Sequence, residues 1–273
     1  MSLVTMKDLL DRAEGYAVGA FNASTPDMIP DILTAAEREQ APCILQVSWS
    51  ALIFIGTAVF SALAPELARR VSTPVAIHLD HCTDIGQIEQ AFGLGFTSVM
   101  IDASRLTLEE NIRVTREVVR KAHARGISVE AELGRIGGTE DDVSSDVSTF
   151  TDPDEARWFV EQTGVDALAV AVGTAHGLYR GKPKLDFQRL RRLHEVSDAH
   201  LVLHGASGLP DEAVTEAVRC GVKKINVATE LKLAWLEGVR EVSGDDPRKV
   251  LGRARERVVE VVRAKIALMR GGT

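Results

Sequence analysis

The sequence predicts an α/β fold: a (β/α)8 TIM barrel with an additional C-terminal helix. Three observations predict it. Eight short apolar runs rich in β-formers lie between positions 16 and 227, with amphipathic helical stretches between them. Such alternation builds a parallel sheet, and eight is the number of strands that closes into a barrel. The chain has 273 residues, enough for one large barrel, and no Pro/Gly/Ser-rich linker divides it, so residues 1–273 read as a single domain. A doubly wound open sheet would carry G-x-G-x-x-G after its first strand, and none is present.

The runs read as strands are 16–21 (YAVGAF), 43–47 (CILQV), 75–79 (VAIHL), 97–101 (TSVMI), 127–132 (ISVEAE), 166–172 (DALAVAV), 201–204 (LVLH) and 223–227 (KKINV). The intervening helices show helical spacing, as in 107–126, where Ile112, Val118 and Val119 share a face and Gly126 supplies a stop. Residues 134–152 (GRIGGTEDDVSSDVSTFTD) are long, polar and Gly-rich, and predict a functional loop of the active-site-lid kind, mobile without substrate. The segment 248–269 reads as an Arg-rich final helix, solvated or packed on a second subunit.

Composition excludes several function classes. With 32 basic and 39 acidic side chains the formal charge is −7, which disfavours nucleic-acid binding; any bound phosphate must be held locally. Three cysteines give no disulfide framework. The N-terminus mixes both charge signs and lacks the apolar stretch of a signal peptide, and no run approaches the ~18 apolar residues of a membrane span. These features predict a soluble cytoplasmic protein without a membrane partner.

In a barrel the chemistry sits where strands end. Those ends carry Asp80 and His81, then Asp102, then Glu132, then His176 in VGTAHGLY, His204 in LHGASG, and Asn226 and Thr229 in NVATE. Three histidines on one rim with acids beside them fit a catalytic zinc site better than scattered polar caps. His78 reads as a core or supporting residue, and His123, His194 and His200 as surface residues. The Gly-rich turns 204–208 and 226–229 lie where barrels commonly cup a phosphate through backbone N–H groups, with Ser207 and Thr229 as hydroxyl donors. No lysine stands where an imine would form: Lys223 and Lys224 open the eighth strand, at the opposite end, so a metal must serve as electron sink. Zinc, phosphate and paired acids together suggest carbonyl chemistry on a sugar phosphate.

Seven ordered segments, AIHLDH (76–81), MIDAS (100–104), EAELGRIGGTEDD (130–142), VGTAHGLY (172–179), PKLDF (183–187), LVLHGASGLP (201–210) and KINVATEL (224–231), resemble the class II, zinc-dependent ketose-bisphosphate aldolases. The resemblance spans about residues 5–270. It implies a homodimeric or homotetrameric lyase of carbohydrate metabolism, glycolysis included. Such an enzyme cleaves a ketose 1,6-bisphosphate, tagatose or fructose, into dihydroxyacetone phosphate and glyceraldehyde 3-phosphate through a zinc-stabilised enediolate.

By that resemblance His81, His176 and His204 bind catalytic Zn2+, and Asp80 exchanges a proton with the aldehyde oxygen. Glu140 moves the carbon-bound proton of dihydroxyacetone phosphate, and Asp102 and Glu132 match a second divalent-metal site. Gly177, Gly205, Ala206, Ser207, Asn226, Val227, Ala228 and Thr229 match the dihydroxyacetone phosphate segments, with Asn22 and Ser48 as polar neighbours. A monovalent cation, Na+ or K+, belongs near the backbone of Gly177 and Gly205, and Arg255 is the candidate for the second phosphate. Two departures stand out. Ala228 replaces the acid or amide of many fructose-type members, so that NVATEL resembles tagatose-type members, and Cys82 reads as a packing residue or a stray ligand. The competing classes are a zinc hydrolase on the same barrel, which has no need of two phosphate turns, and a non-catalytic sugar-phosphate binder, which has no need of Asp80 or Glu140.

Overall fold

The computed structural model describes residues 2–140, 143–145, 148–177, 179, 181, 183–244 and 246–271; of residue 140 and residues 143–145 it describes the backbone. In chain order the elements are α1 (Met6–Asp11), β1 (Val18–Asn22), α2 (Met28–Arg38), β2 (Cys43–Ser48), α3 (Trp49–Ile55), α4 (Thr57–Arg70), β3 (Val75–Cys82), α5 (Ile85–Ala91), β4 (Ser98–Ile101), α6 (Leu108–His123) and β5 (Ser128–Leu133). There follow β6 (Gly137–Glu140), β7 (Val143–Ser145), α7 (Pro153–Thr163), β8 (Ala167–Val170), β9 (Ala175–His176), α8 (Phe187–Val196), β10 (His200–Leu203), α9 (Asp211–Arg219), β11 (Val222–Val227), α10 (Thr229–Glu241) and α11 (Pro247–Met269).

Eight parallel strands close in the order β1-β2-β3-β4-β5-β8-β10-β11, with β11 returning to β1. They are buried on both faces and so read as continuous apolar runs. Strand alternation divides the core in two. Outward residues such as Phe21, Leu45, Ile77, Val99, Val129, Leu168 and Leu203 pack under the helices. Inward residues Val18, Ala20, Ile44, Ala76, Met100, Ala167, Ala169 and Val202 form a separate cluster with Met6, Leu9, Leu10 and Ala13. Helix α1, held by a Thr5–Asp8 capping box, thus plugs the N-terminal mouth of the barrel with apolar side chains. Above that floor the inward positions turn polar: Asn22, Gln46, His78, Asp80, Asp102, Glu130, Glu132, His204, Lys224 and Asn226 are all buried.

The helices follow their sequence signals. α6 begins with a Thr107–Glu110 capping box, ends with Arg120, Lys121 and His123 against its dipole, and buries Ile112, Val118 and Val119. α11 buries Ala254, Val258, Val262 and Ile266, one every fourth residue, against α2 and α10. No single helix among the described residues is long and apolar enough to cross a membrane; the bent pair α3–α4 buries Leu52, Phe60 and Ala64 in the shell core.

The segment 134–152, expected as a loop, carries secondary structure. β6 and β7 form an antiparallel hairpin, Arg135 and Thr149 bridge its base, and β6 also pairs in parallel with β9. Its strands lack apolar alternation, so the pattern in sequence gave no strand signal.

Candidate active site

The site is assembled from strand ends, and two backbone devices aim its side chains. Asp80 and His81 are consecutive, so regular pleating would turn one of them out of the barrel. At the end of β3 the register against β4 slips between Leu79 and Cys82, and His81 takes φ 44°, in the left-handed region. This bulge lets both side chains face inward. The second device is a pair of glycines flanking β9. A Cβ at Gly138 (φ +96°) would collide with the backbone of His176, and one at Gly205 (φ +64°) would lie 2.5 Å from the Ala175 oxygen. Only glycine lets β6 and the 204–208 turn close on the strand that carries His176.

His81, Glu132, His176 and His204 each offer a ligand atom, all within 4.8 Å of one another, and all four are buried. The histidine rings lie edge to face, 4.6 Å (His81–His204) and 4.9 Å (His81–His176) between centroids. His81 turns Nδ1 to Asp102 Oδ2 at 3.1 Å and Nε2 to His204 Nδ1 at 2.8 Å; His204 turns Nε2 to Glu130 Oε1 at 2.7 Å. Carboxylates therefore hold the outer nitrogens of both rings, and the inner nitrogens face each other, where they can share a proton or a cation. Glu132 Oε2, 4.0 Å from His204 Nδ1, is buried without a hydrogen-bond partner. A buried orphan carboxylate oxygen beside converging imidazoles is a donor set of the kind that fits a divalent metal.

The electrostatics agree. Burial pulls the His81 imidazolium down, but Asp80, Asp102 and Glu132 outweigh it and hold the group at about 10. Burial and the His81 and Lys224 charges hold His204 well below the usual imidazole range. Burial and the Asp102 charge push Glu132 up to about 8. Asp80 is opposed by burial yet held at about 2 by His81, Lys224 and His204. It accepts from Asn22 Nδ2 at 2.9 Å and Asn226 Nδ2 at 3.2 Å, and Gln46 Nε2 donates to Asn22 Oδ1 at 2.6 Å.

Gly205, Ala206 and Ser207 follow β10, and the Tyr179 hydroxyl ties this turn to β9 by donating to Gly205 O at 2.6 Å and accepting from Ala175 N at 3.1 Å. Gly177 follows β9; Asn226 and Val227 end β11, and Ala228 leads into Thr229, the first residue of α10. Val227 packs outward in the shell core. Ser48 caps α3, accepting from Ala51 N at 3.3 Å, and Arg255 sits on α11 with its guanidinium on Asp31 of α2 at 2.9 Å. The structure brings neither Ser48 nor Arg255 into contact with the histidine group. Glu140 ends β6; its side chain lies outside the described residues. Cys82 faces the shell core, Sγ 3.4 Å from Asp84 O, and is not among the converging ligands.

Three buried residues were missed. Lys224, expected at the far end of the barrel, lies inside it with Nζ 2.7 Å from Glu130 Oε2, and Gln46 supports Asn22. The period-2 rule could have found all three, since Glu130 shares a face with Glu132, Lys224 with Asn226 and Gln46 with Ser48.

Comparison with known proteins gives the same picture. The model of the class-II fructose-bisphosphate aldolase family matches residues 4–272. A fructose-bisphosphate aldolase of Geobacillus stearothermophilus is 44% identical over 276 residues, 97% of this chain and 96% of that protein. One of Staphylococcus aureus strain N315 is 44% identical over 278 residues, with the same coverage of each, 97% and 96%. The crystal structure of the YdjI aldolase from Escherichia coli K12 superposes with a TM-score of 0.90 at 35% identity, over 98% of this chain and 97% of that one. With the family model matching residues 4–272 and relatives 44% identical over nearly the whole length, the chain belongs to the class II fructose-bisphosphate aldolase family, whose members are carbon–carbon lyases.

Proposed function

We propose that the protein reversibly cleaves a ketose 1,6-bisphosphate, fructose or tagatose, into dihydroxyacetone phosphate and glyceraldehyde 3-phosphate. The observation that carries this reading is the convergence of His81, Glu132, His176 and His204 beside the buried Asp80 carboxylate. His81, His176 and His204 would hold Zn2+, with Glu132 in reach and Asp102 the other candidate for a second divalent ion. A bound Zn2+ supplies a Lewis acid that polarises a substrate carbonyl. Asp80, an anion at neutral pH, accepts the proton of the hydroxyl next to the breaking bond and returns it in condensation. Asn22 and Asn226 hold its two oxygens and so fix its direction. The 204–208 turn and the segment before α10 offer backbone N–H groups to the phosphate of dihydroxyacetone phosphate, and the carbonyls of Gly177 and Gly205 suit a monovalent cation. Arg255, paired with Asp31 on the outer helices, would meet the second phosphate across a subunit contact in a dimer or tetramer. The three free cysteines, with no disulfide framework, support a place in a reducing cytoplasm.

Glu140 moves the carbon-bound proton on this reading. Glu140→Gln therefore lowers proton exchange at that carbon of dihydroxyacetone phosphate by about 10²–10⁴-fold with bound zinc unchanged. Isotope exchange followed by NMR measures this, and unimpaired exchange removes Glu140 from the catalytic set.

The relatives are named fructose-bisphosphate aldolases, which supports the fructose epimer. Ala228, buried and carrying a methyl where a polar side chain would offer a hydrogen bond, supports cleavage of both epimers with tagatose preferred. A matched polar contact can discriminate by up to about 10⁴-fold, and without it discrimination is weak. Assay of the purified enzyme on both bisphosphates tests the whole reading; activity on neither, with ester or amide hydrolysis instead, would overturn it. Ala228→Asp shifts the ratio of kcat/KM values toward the fructose epimer, and an unchanged ratio shows that Ala228 is not the selector.

A further inference from the structure

Between the apolar floor and the histidine group lies a layer the reaction does not touch. Glu130 and Lys224 form an ion pair at 2.7 Å, both side chains fully buried, with His78 Nε2 at 3.7 Å from the same carboxylate. His78 is itself fixed by Ser98 Oγ at 2.6 Å. A buried ion pair is weak evidence for stability, because apolar residues of similar volume serve as well or better. Its geometry gives it another use.

We propose that the Glu130–Lys224 pair is a positioning device that selects Nδ1 of His204 as the metal-ligating nitrogen. This rests on the reading of the histidine group as a metal site. A neutral imidazole carries one hydrogen, and only the other nitrogen can ligate. Glu130 Oε1 stands 2.7 Å from His204 Nε2, and a carboxylate only accepts, so the hydrogen sits on Nε2. Nδ1 is then the bare nitrogen, and it is the one that faces His81 Nε2 and Glu132. Asn226 Nδ2 lies 3.2 Å from His204 Nε2 and would favour the opposite tautomer. That contact is longer and uncharged, and the same amide donates to Asp80. Lys224 can only donate, so it occupies the second Glu130 oxygen without giving that carboxylate anything to pass on to His204. Asp102 does the mirror-image work on His81 from the rim, leaving Nε2 inward.

The test uses the full-length protein. The double variant Glu130→Leu/Lys224→Met removes both charges at similar volume. Competition with a chromogenic chelator measures the zinc dissociation constant, and 15N NMR of histidine-labelled, metal-free protein reads the His204 tautomer. The wild type binds zinc and shows the hydrogen on Nε2; the folded double variant shows mixed tautomers and binds zinc about 10–100-fold more weakly. An unchanged dissociation constant in the folded variant overturns the proposal. So does wild-type His204 with its hydrogen on Nδ1, a result that needs no variant to fold. A wild type that takes up no zinc overturns instead the reading of the cluster as a metal site.

Discussion

A strong chelator is expected to abolish ketose-bisphosphate cleavage, and added Zn2+ to restore it. Among the described residues no lysine is placed for an imine: Lys224 lies inside the barrel but is spent on Glu130, and on the proposed reading a Lewis acid held by the converging histidines would be the electron sink. A metal of that kind contributes several kcal/mol to the transition state, so its removal costs about 10³-fold or more. Reloading has a definite pH dependence. In the metal-free protein His81 is raised to about 10, so it carries a proton at neutral pH that the metal must displace. Zinc affinity therefore falls as the pH drops below that value and rises toward it, with proton release that calorimetry in buffers of different ionisation enthalpy detects. Full activity in chelator, or trapping of substrate on the protein by borohydride, would sink the metal mechanism.

Asp80→Ala lowers kcat by about 10²–10⁴-fold while leaving zinc content and fold intact. The carboxylate is fully buried, held by two asparagine side chains, and kept at about 2 against its burial by the His81, Lys224 and His204 charges. Nothing else in the described site is both anionic at neutral pH and free of a cationic hydrogen-bond partner: Asp102 is engaged by His81 and Glu130 by Lys224. Metal analysis alongside steady-state kinetics separates this role from ligation. A variant with wild-type kcat would show that the proton moves by another route.

The barrel strands were legible because parallel strands covered on both faces must be apolar throughout, and each run in sequence falls within two residues of its strand except at the end of β3, which continues three residues further to Cys82. The rim acids and histidines were legible for the same reason, since polar groups interrupting such runs at one end have nowhere to face but the mouth. The left-handed backbone at His81 was not legible: it belongs to a register slip against β4, a property of two strands rather than of one. The hairpin over 134–152 was hidden because the strand that β6 pairs with outside it, β9, is two residues long and lies thirty-eight positions away. Glu130 and Lys224 could have been found by alternation alone, yet a lysine near the start of a strand reads as solvent-facing until the floor beneath it is known.

That floor has a consequence for traffic. With α1 sealing the lower opening by Met6, Leu9 and Leu10, the barrel is a vessel with one mouth. Whatever enters to reach His81 and Asp80 must leave by the same door, and the hairpin β6–β7 hangs at that door on the very strand that bears His176. On the proposed reading, both products of cleavage would have to leave through that one mouth rather than from opposite ends of the barrel.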